Sequence, residues 1–430
     1  MKSLMKKFVC ALLPALALSL PTTPGIANAE TIAITNGKLH TMGPLGTIDG
    51  GTLLIEGNTI TAVGTDVSIP EGARIIDAGG KPVTPGLFDA LTSIGLSEVT
   101  LSAGIEDDEA RSSRFVIAPD VSFAFNPDNT FVPSTRIEGV TRAAISMKIT
   151  KQLFAGRGAI VQLGYGPDHI SRPRAFIYAD LGEKGGTNAG GSRAVAWVEL
   201  YAALRETDNL TTQPRNHWQG GIDEPLYSHI DLEALQPAVQ GEIPFIIHVN
   251  RLADIRRVIE LKQARPAIKI VIHQGDEAWR SAVELAEAGI PVLIHPYDNL
   301  PASFDKIGST MENAVKLRTA GVKIAISSWG NDQDNYMPRL LPQLAGIAIA
   351  NGLDWDDALT AVTRAPAEIY GISDRVGTLT QGMEADVVIW SGDPFEVTDI
   401  AAHVIIQGQE IPLVSRQTRL RDRYRTIGSQ

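Results

Sequence analysis

The fold is decided by four short apolar runs in the second half of the chain: Phe245-Ile246-Ile247, Ile268-Lys269-Ile270-Val271-Ile272, Pro291-Val292-Leu293-Ile294 and Val322-Lys323-Ile324-Ala325-Ile326. A longer amphipathic stretch follows each run, at 251–264, 277–288, 311–320 and 338–351. Short apolar runs that alternate with helical patterns predict parallel strands buried on both faces.

Four consecutive strand–helix units within residues 84–375 predict an α/β fold, a (β/α)8 TIM-like barrel. The alternative is an open, doubly wound sheet. It has less support because no glycine-rich dinucleotide-binding fingerprint follows an early strand. In a barrel of this kind the functional residues lie at the carboxyl ends of the strands, so we expect the site there.

Both ends of the chain have a β pattern. Thr52-Leu53-Leu54-Ile55 and Thr59-Ile60-Thr61-Ala62-Val63 flank a Glu56-Gly57-Asn58 turn, which is a hairpin signature. Near the other end, the apolar runs at 385–390 and 403–406 have the same character. Each end alone has too few strands to cover an apolar face.

We therefore expect residues 30–83 and 376–416 to form one composite β-sandwich beside the barrel. Residues 417–430 would then be a C-terminal tail. This arrangement requires the two ends of the chain to meet in space.

The first 29 residues have the form of a secretory signal peptide. Lys2, Lys6 and Lys7 make a basic start, an apolar run covers 8–20, and Ala27-Asn28-Ala29 has the small-x-small form of a cleavage site. The alternative, a membrane anchor, needs about 20 apolar residues, and this run is well short of that. We expect a mature protein in the periplasm or outside the cell.

Composition excludes several classes of function. The only cysteine, Cys10, leaves with the signal, so disulfides, thiolate metal ligands and thiol nucleophiles are excluded in the mature chain. The full chain has a net charge of −11, and loss of three signal lysines makes the mature form about −14, which argues against nucleic acid as a partner. No later segment is apolar enough to span a bilayer, so we expect no membrane partner after signal removal. We expect the ligand to be a small molecule.

Pro85-Gly86-Leu87-Phe88-Asp89 resembles the first barrel strand of the amidohydrolase superfamily, where Pro-Gly-Leu-x-Asp leads into His-x-His. Residues 377–388, beginning Gly-Thr-Leu, resemble the strand that completes the family's sandwich, and 364–371 resemble the helix before it. The resemblance covers nearly all of the mature chain and is strongest to the imidazolonepropionase-like and dipeptidase-like branch.

The resemblance implies a site for zinc or another divalent metal. In the family, two His from strand one, one His each from strands five and six, and an Asp from strand eight hold the metal, often with a carboxylated Lys. By position, His248 and His273 are the ligands from strands five and six. Leu91 and Ser93 stand in place of the first two His, and Trp329 stands in place of the Asp. We therefore expect metal binding to be weak or absent.

The family's lysine has no clear match, and the loosely aligned Gln162 is the nearest equivalent. A third metal ligand is available in His295, which ends the next apolar run. His248, His273 and His295 would then make an open three-His site on three consecutive strands. The alternative is that His295, which precedes Pro296, bonds to the loop backbone.

Three carboxylates follow the ends of strands six, seven and eight: Asp276, Asp298 and Asp332. Asp332 is the best candidate for a replacement catalytic base, because a three-residue shift in its loop offers it in place of the lost Asp. Asp276 and Asp298 are candidates for binding a cationic substrate group. The alternative for all three is a cap or turn role.

Trp329 brings an aromatic ring to the mouth of the barrel. It either stacks on a ligand or fills the space of the absent metal.

Two functional hypotheses follow. In the first, the protein is an exported hydrolase of carbon–nitrogen bonds other than peptide bonds, with weak or lost metal-dependent activity. In the second, it is a non-catalytic periplasmic protein that binds a small molecule, or a partner subunit of an active amidohydrolase. A homo-oligomer is compatible with both.

Overall fold

A computed structural model describes residues 30–98, 106–210, 226–329 and 337–425. The predicted signal peptide, residues 1–29, lies outside these ranges. The strands within them are β1 (Thr31–His40), β2 (Thr47–Glu56), β3 (Thr59–Gly64), β4 (Arg74–Asp77), β5 (Pro82–Pro85), β6 (Leu87–Thr92), β7 (Val140–Ile145), β8 (Phe154–Gln162), β9 (Ile170–Asp180), β10 (Pro244–Val249), β11 (Lys269–Gln274), β12 (Val292–Ile294), β13 (Ile324–Ile326), β14 (Val387–Trp390), β15 (Ala401–Ile406) and β16 (Gln409–Glu410).

The helices in the same ranges are α1 (Phe131–Arg136), α2 (Glu183–Asn188), α3 (Arg193–Leu210), α4 (His229–Val239), α5 (Leu252–Ala264), α6 (Ala282–Glu287), α7 (Asn313–Thr319), α8 (Leu341–Ala350), α9 (Trp355–Ala361), α10 (Arg364–Ile369) and α11 (Arg416–Arg425). In the described part of the chain, none of them combines the length and apolar character needed to cross a bilayer.

An eight-stranded sheet, ordered from β6 to β13 along the chain, forms the barrel. The predicted strands of its second half are present as β10 to β13, and the helices α5 to α8 alternate with them in the predicted places. The predicted α/β, TIM-like fold class is therefore confirmed.

Strict β/α alternation, which the sequence also predicted, fails in the first half of the barrel. β8 runs antiparallel to both β7 and β9, whereas the other pairs in the sheet are parallel. The connections on either side of β8, residues 146–153 and 163–169, contain no helix. A parallel crossover needs about a dozen residues or more, so these short loops can only reverse the chain.

The first and last barrel strands are joined by side chains. Asp89 of β6 accepts hydrogen bonds through Oδ1 from the backbone N–H of Leu91, at 3.2 Å, and of Ser328, at 3.0 Å. The hydroxyl of Ser327, just after β13, donates to the carbonyl oxygen of Leu91 at 2.8 Å. The two bonds from Ser327 and Ser328 join β6 to the segment that follows β13.

The two ends of the chain share a second sheet, in the order β16-β15-β14-β5-β1-β2-β3, with β4 also paired to β1. β14 pairs with β5 through Val387–Pro85, Val388–Thr84 and Ile389–Val83. The sheet encloses its own apolar core, to which both chain ends contribute, for example Ile34, Leu53 and Val387. The structure thus has the barrel and an additional sheet domain.

Arg142 of β7 ties the barrel to this sheet. Its guanidinium is buried and pairs with Asp386 at 2.7 Å and with Glu384, and it donates to the Ser171 hydroxyl at 2.6 Å. Asp386 is also buried, and Glu384 is mostly so. A buried cation between two carboxylates is stable only while all three charges are present.

Replacing Arg142 with Met should lower the free energy of unfolding by about 3 to 5 kcal/mol, because it leaves the buried Asp386 without a cation and removes one of the two cations that pair with Glu384. Urea unfolding at neutral pH measures this. The control is Arg375→Gln, which removes a half-exposed partner of the same Glu384 and should cost no more than about 1 kcal/mol. Equal losses in the two variants would show that Arg142 does not hold the two sheets together.

Candidate active site

A cavity of about 440 Å³ opens at the carboxyl ends of the barrel strands. Its wall includes side chains from three successive strands and from the segment after β13: Tyr178 and Asp180 of β9, His248 of β10, His273 and Gln274 of β11, and Trp329 after β13. The volume suits a small molecule.

Strand register places three of these side chains in a row. His248 is aligned with Asp180 on one side and with His273 on the other, along parallel ladders. Aligned residues of neighbouring parallel strands point to the same face of the sheet. Asp180, His248 and His273 therefore all face the cavity.

Asp180 and His248 form a buried ion pair, with Oδ2 of Asp180 at 3.0 Å from Nδ1 of His248. Although burial alone would raise the pKa of Asp180, the neighbouring His248 and two backbone N–H groups hold that pKa below its ordinary value. Burial likewise opposes the charged form of His248, but Asp180 holds the pKa of His248 above its ordinary value. The pair thus favours the carboxylate form of Asp180 and the imidazolium form of His248.

The start of α2 completes the surroundings of Asp180. Oδ1 of Asp180 accepts from the backbone N–H of Gly182 at 2.8 Å and of Gly185 at 3.1 Å. A Cβ atom on Gly185 would lie 1.8 Å from the carbonyl oxygen of Asp180, so only glycine fits there. The segment 182–191, whose composition predicts a loop, instead supplies a helix that fixes the carboxylate.

Gln274 connects the ion pair to the rest of the cavity wall. Its Oε1 lies 2.9 Å from Nε2 of His248 and accepts from Nδ2 of Asn250 at 3.3 Å. The backbone of Gln274 has φ of 66°, a left-handed conformation that a non-glycine residue adopts at a cost. The surrounding contacts therefore hold Gln274 in place against local strain.

His273 has a different electrostatic setting from His248. Burial first, and then the positive charge of His248, lower the pKa of His273 well below its ordinary value, so it is neutral. Its Nδ1 lies 3.0 Å from the hydroxyl of Tyr178. Its Nε2 is buried and makes no hydrogen bond within the described residues. This nitrogen is available to a ligand.

Trp329 forms an aromatic wall beside His273. Its ring centroid lies 5.5 Å from that of Tyr178 and 6.1 Å from that of His273. Trp329 is almost fully buried and lines the cavity. It therefore occupies the side of the mouth where the sequence comparison places the family's aspartate.

The two carboxylates predicted to bind substrate do not line this cavity. Asp276 is buried and pairs with Nζ of Lys306 at 2.7 Å, and it is Lys306 that reaches the cavity wall. Asp298 lies 3.3 Å from Nδ1 of His295, outside the wall. Asp332, the predicted catalytic base, lies outside the described residues.

The three-histidine metal site is not formed. His273 is aligned with Leu293 on β12, so His295 lies two residues further along its strand than the row that holds His248 and His273. His295 is buried and does not line the cavity. Within the described ranges, no group of three or more His, Cys, Asp or Glu side chains is arranged to hold a metal ion.

The donor atoms that are present do not fit the family's metal. Both ring nitrogens of His248 are taken, by Asp180 and Gln274, and a metal-bound His needs one of them free. Leu91 has no donor atom in its side chain, and Trp329 offers no metal-binding one. Among the described histidines of the cavity wall, His273 alone presents a nitrogen without a partner, whereas a stable catalytic zinc site needs about three protein ligands.

Gln162 is not the equivalent of the family's lysine. It ends β8, the reversed strand, and pairs with Arg142 near the start of β7. It therefore lies at the opposite end of the barrel from His248. The fourth strand of the barrel is β9, and Asp180 ends it.

Sequence reasoning missed Asp180, Tyr178, Asn250, Gln274 and Lys306. A signal for Asp180 was present: it ends the apolar run Ala175-Phe176-Ile177-Tyr178-Ala179 in the same way that His248 and His273 end theirs. Lys306 had no such signal, because it reaches the cavity from a loop distant in sequence.

Comparison with known proteins gives consistent matches. The model of the amidohydrolase family matches residues 234–411. An imidazolonepropionase of Mesorhizobium japonicum is 23% identical over 392 residues, which cover 83% of this chain and 90% of that protein. An imidazolonepropionase of Rhizobium meliloti is 24% identical over 404 residues, which cover 85% of this chain and 92% of that protein.

Solved structures agree on the fold. A crystal structure of an amidohydrolase from Thermotoga maritima superposes with a TM-score of 0.78 at 24% sequence identity, and the match covers 89% of this chain and 99% of that one. At this identity the likeness concerns the fold.

Replacing Asp180 with Asn should make stability less dependent on pH. The Asp180–His248 pair stabilises the fold at pH values between the unfolded pKa of Asp and the raised pKa of His248. Its contribution is lost when Asp180 is protonated at lower pH or when His248 loses its proton at higher pH. The variant should therefore lose about 3 to 5 kcal/mol near pH 6 and less at pH 9.

Urea unfolding at both pH values tests this, together with NMR titration of His248, whose pKa should fall below its ordinary value in the variant. Glu183→Gln, at the exposed start of α2, is the matched control and should change neither quantity. A titration of His248 that is unchanged in Asp180→Asn would contradict the assignment of the ion pair.

Proposed function

Because the chain belongs to the amidohydrolase superfamily, in its imidazolonepropionase-like branch, we propose that this hydrolase acts on carbon–nitrogen bonds other than peptide bonds and that its metal-dependent activity is weak or lost. The observation that carries the proposal is the row of Asp180, His248 and His273 facing the cavity. The row keeps the two histidine positions of the family, while Leu91 and Trp329 occupy positions of metal ligands.

The proposed substrate is a small molecule with an amide-type bond. The curated relatives reported above are imidazolonepropionases, and a cavity of about 440 Å³ has room for a substrate of modest size. The rings of Trp329 and Tyr178 provide an apolar wall against which a planar group can lie. Nε2 of His273 provides a hydrogen-bonding group beside that wall.

In this proposal the residues of the chain bind and orient the substrate, and no metal step is assigned. The Tyr178 hydroxyl fixes the His273 ring, and Asp180 with Gln274 fixes the His248 ring. Without metal-activated water, several kcal/mol of transition-state stabilisation are missing, so slow turnover follows.

The second candidate is a non-catalytic protein that binds a small molecule, alone, as a homo-oligomer, or as a partner subunit of an active amidohydrolase. One observation favours it: the partners of His248 within the protein leave neither ring nitrogen for a substrate or a metal. The two candidates share the cavity and differ only in whether bond cleavage takes place.

Export is part of the proposal. The signal-like residues 1–29 support cleavage after Ala29 and a periplasmic or secreted mature protein. Expression of the full chain in a bacterial host should yield a mature protein that begins at Glu30, as read by mass spectrometry of the periplasmic fraction. An intact N-terminus in the cytoplasmic fraction would contradict export.

Metal content tests the proposed function most directly. Mature protein purified without chelator should hold well under one zinc per chain, because His273 alone offers a free ligand nitrogen in the cavity. Imidazolone, hydantoin and dipeptide substrates should turn over below the usual enzyme range of about 1 to 1000 per second. One metal per chain, lost in His295→Ala or in Asp332→Ala, would overturn the proposal and identify the missing ligand.

A triple variant provides the converse test. Leu91→His, Ser93→His and Trp329→Asp together restore the donor types of the family and should create measurable zinc affinity in the folded protein. The matched control carries Leu91→Asn, Ser93→Asn and Trp329→Asn, polar changes that add no strong zinc ligand. Zinc binding equal in the two folded variants would show that these positions do not surround the family's metal position.

A further inference from the structure

The last helix, α11, has a charge opposite to that of the remaining chain. It contains five arginines and one aspartate in ten residues, a net charge of +4, which leaves −15 for the other residues. The arginines are Arg416, Arg419, Arg421, Arg423 and Arg425. None of the residues of α11 is buried. The helix is therefore a concentrated positive charge on the surface of an acidic protein.

Burial shows which side of α11 faces the protein. Thr418 is half-buried, and the other residues of the helix are exposed. Successive residues are about 100° apart around a helix, so the side opposite Thr418 carries Arg416, Leu420 and Arg423. Arg419 and Tyr424 flank this outward face on either side. Leu420 is 40% exposed and Tyr424 is 60% exposed.

A second cation lies on the same side of the molecule. α11 lies against α1, which ends at Arg136. The Arg136 guanidinium is buried, and it contacts the Tyr165 ring at 4.4 Å and the Gly164 carbonyl oxygen at 3.5 Å. Burial lowers the pKa of Arg136, and the charge of Asp128 offsets this only in part.

We propose that the outward face of α11, formed by Arg416, Arg419, Leu420, Arg423 and Tyr424, docks on an anionic lipid surface. Guanidinium groups bind phosphate oxygens through bidentate hydrogen bonds. A helix with basic residues around exposed leucine and tyrosine has the chemistry of an interfacial helix, since lipid accepts apolar side chains without a preformed pocket. The negative charge of the remaining chain orients the molecule with α11 toward the membrane.

This attachment differs from membrane spanning, which the described helices do not support. The expectation of no membrane partner after signal removal rests on the lack of a later apolar segment long enough to span a bilayer. It does not take account of the concentration of arginines in the last ten described residues.

The test is co-sedimentation of the mature protein with vesicles. We expect binding to vesicles of equal parts phosphatidylglycerol and phosphatidylcholine, no binding to pure phosphatidylcholine, and weakening as salt rises, because the charges are exposed. Arg416→Gln with Arg423→Gln should lower the partition coefficient about twenty-five-fold, since each surface arginine contributes roughly a five-fold factor.

The matched control changes the same number of charges on other sides of the helix, with Arg421→Gln and Arg425→Gln, and should lose clearly less binding. Equal losses would overturn the assigned face, and no binding to anionic vesicles would overturn the lipid partner. Sedimentation velocity then identifies the alternative: self-association lost in Arg416→Gln with Arg423→Gln would assign the face to a second copy of this chain. Circular dichroism checks that each variant is folded.

Discussion

The barrel depends on a carboxylate that is completely buried. Asp89 holds the first strand against the segment after the last strand by accepting from the backbone N–H of Ser328, and it also accepts from the N–H of Leu91 within its own strand. Burial raises the pKa of Asp89 to about 7, although the hydrogen bonds it accepts lower it. Near neutral pH, Asp89 at the closure of the barrel is therefore present in both its protonated and its charged form. The row that faces the cavity depends on the strand register that this closure maintains.

Much of the fold could be predicted from the sequence, because the second half of the barrel follows simple rules. Its strands are short, apolar and buried on both faces, and amphipathic helices separate them, so the strands β10 to β13 and helices α5 to α8 were found. The first half has fewer such signals. The first half of β9 contains the half-buried Arg172 and the exposed Arg174, and the strand becomes apolar only later. Apolar content also does not reveal that β8 runs in the opposite direction.

Less of the site could be predicted, for related physical reasons. His248 and His273 end clear apolar runs, and both were placed in the cavity. Gln162 was matched to the family's lysine, but β8 runs in the opposite direction, which places Gln162 at the other end of the barrel. Asp180 was overlooked because the glycine-rich segment after it was interpreted as a loop, whereas Gly182 and Gly185 bind its carboxylate. Where the resemblance implies metal ligands, the structure has a polar network in which His248 contacts Asp180 and Gln274.

The sheet built from both chain ends has a consequence for synthesis. β5 pairs with β1 on one side and with β14 on the other, and β14 begins only at Val387. Synthesis proceeds from the N-terminus, so β5 has an unpaired edge during production of the whole barrel. Such an edge is a template for aggregation until its partner arrives. A chaperone that keeps the nascent chain extended would protect this edge, and a ribosome stalled within the barrel would release a product with the edge exposed.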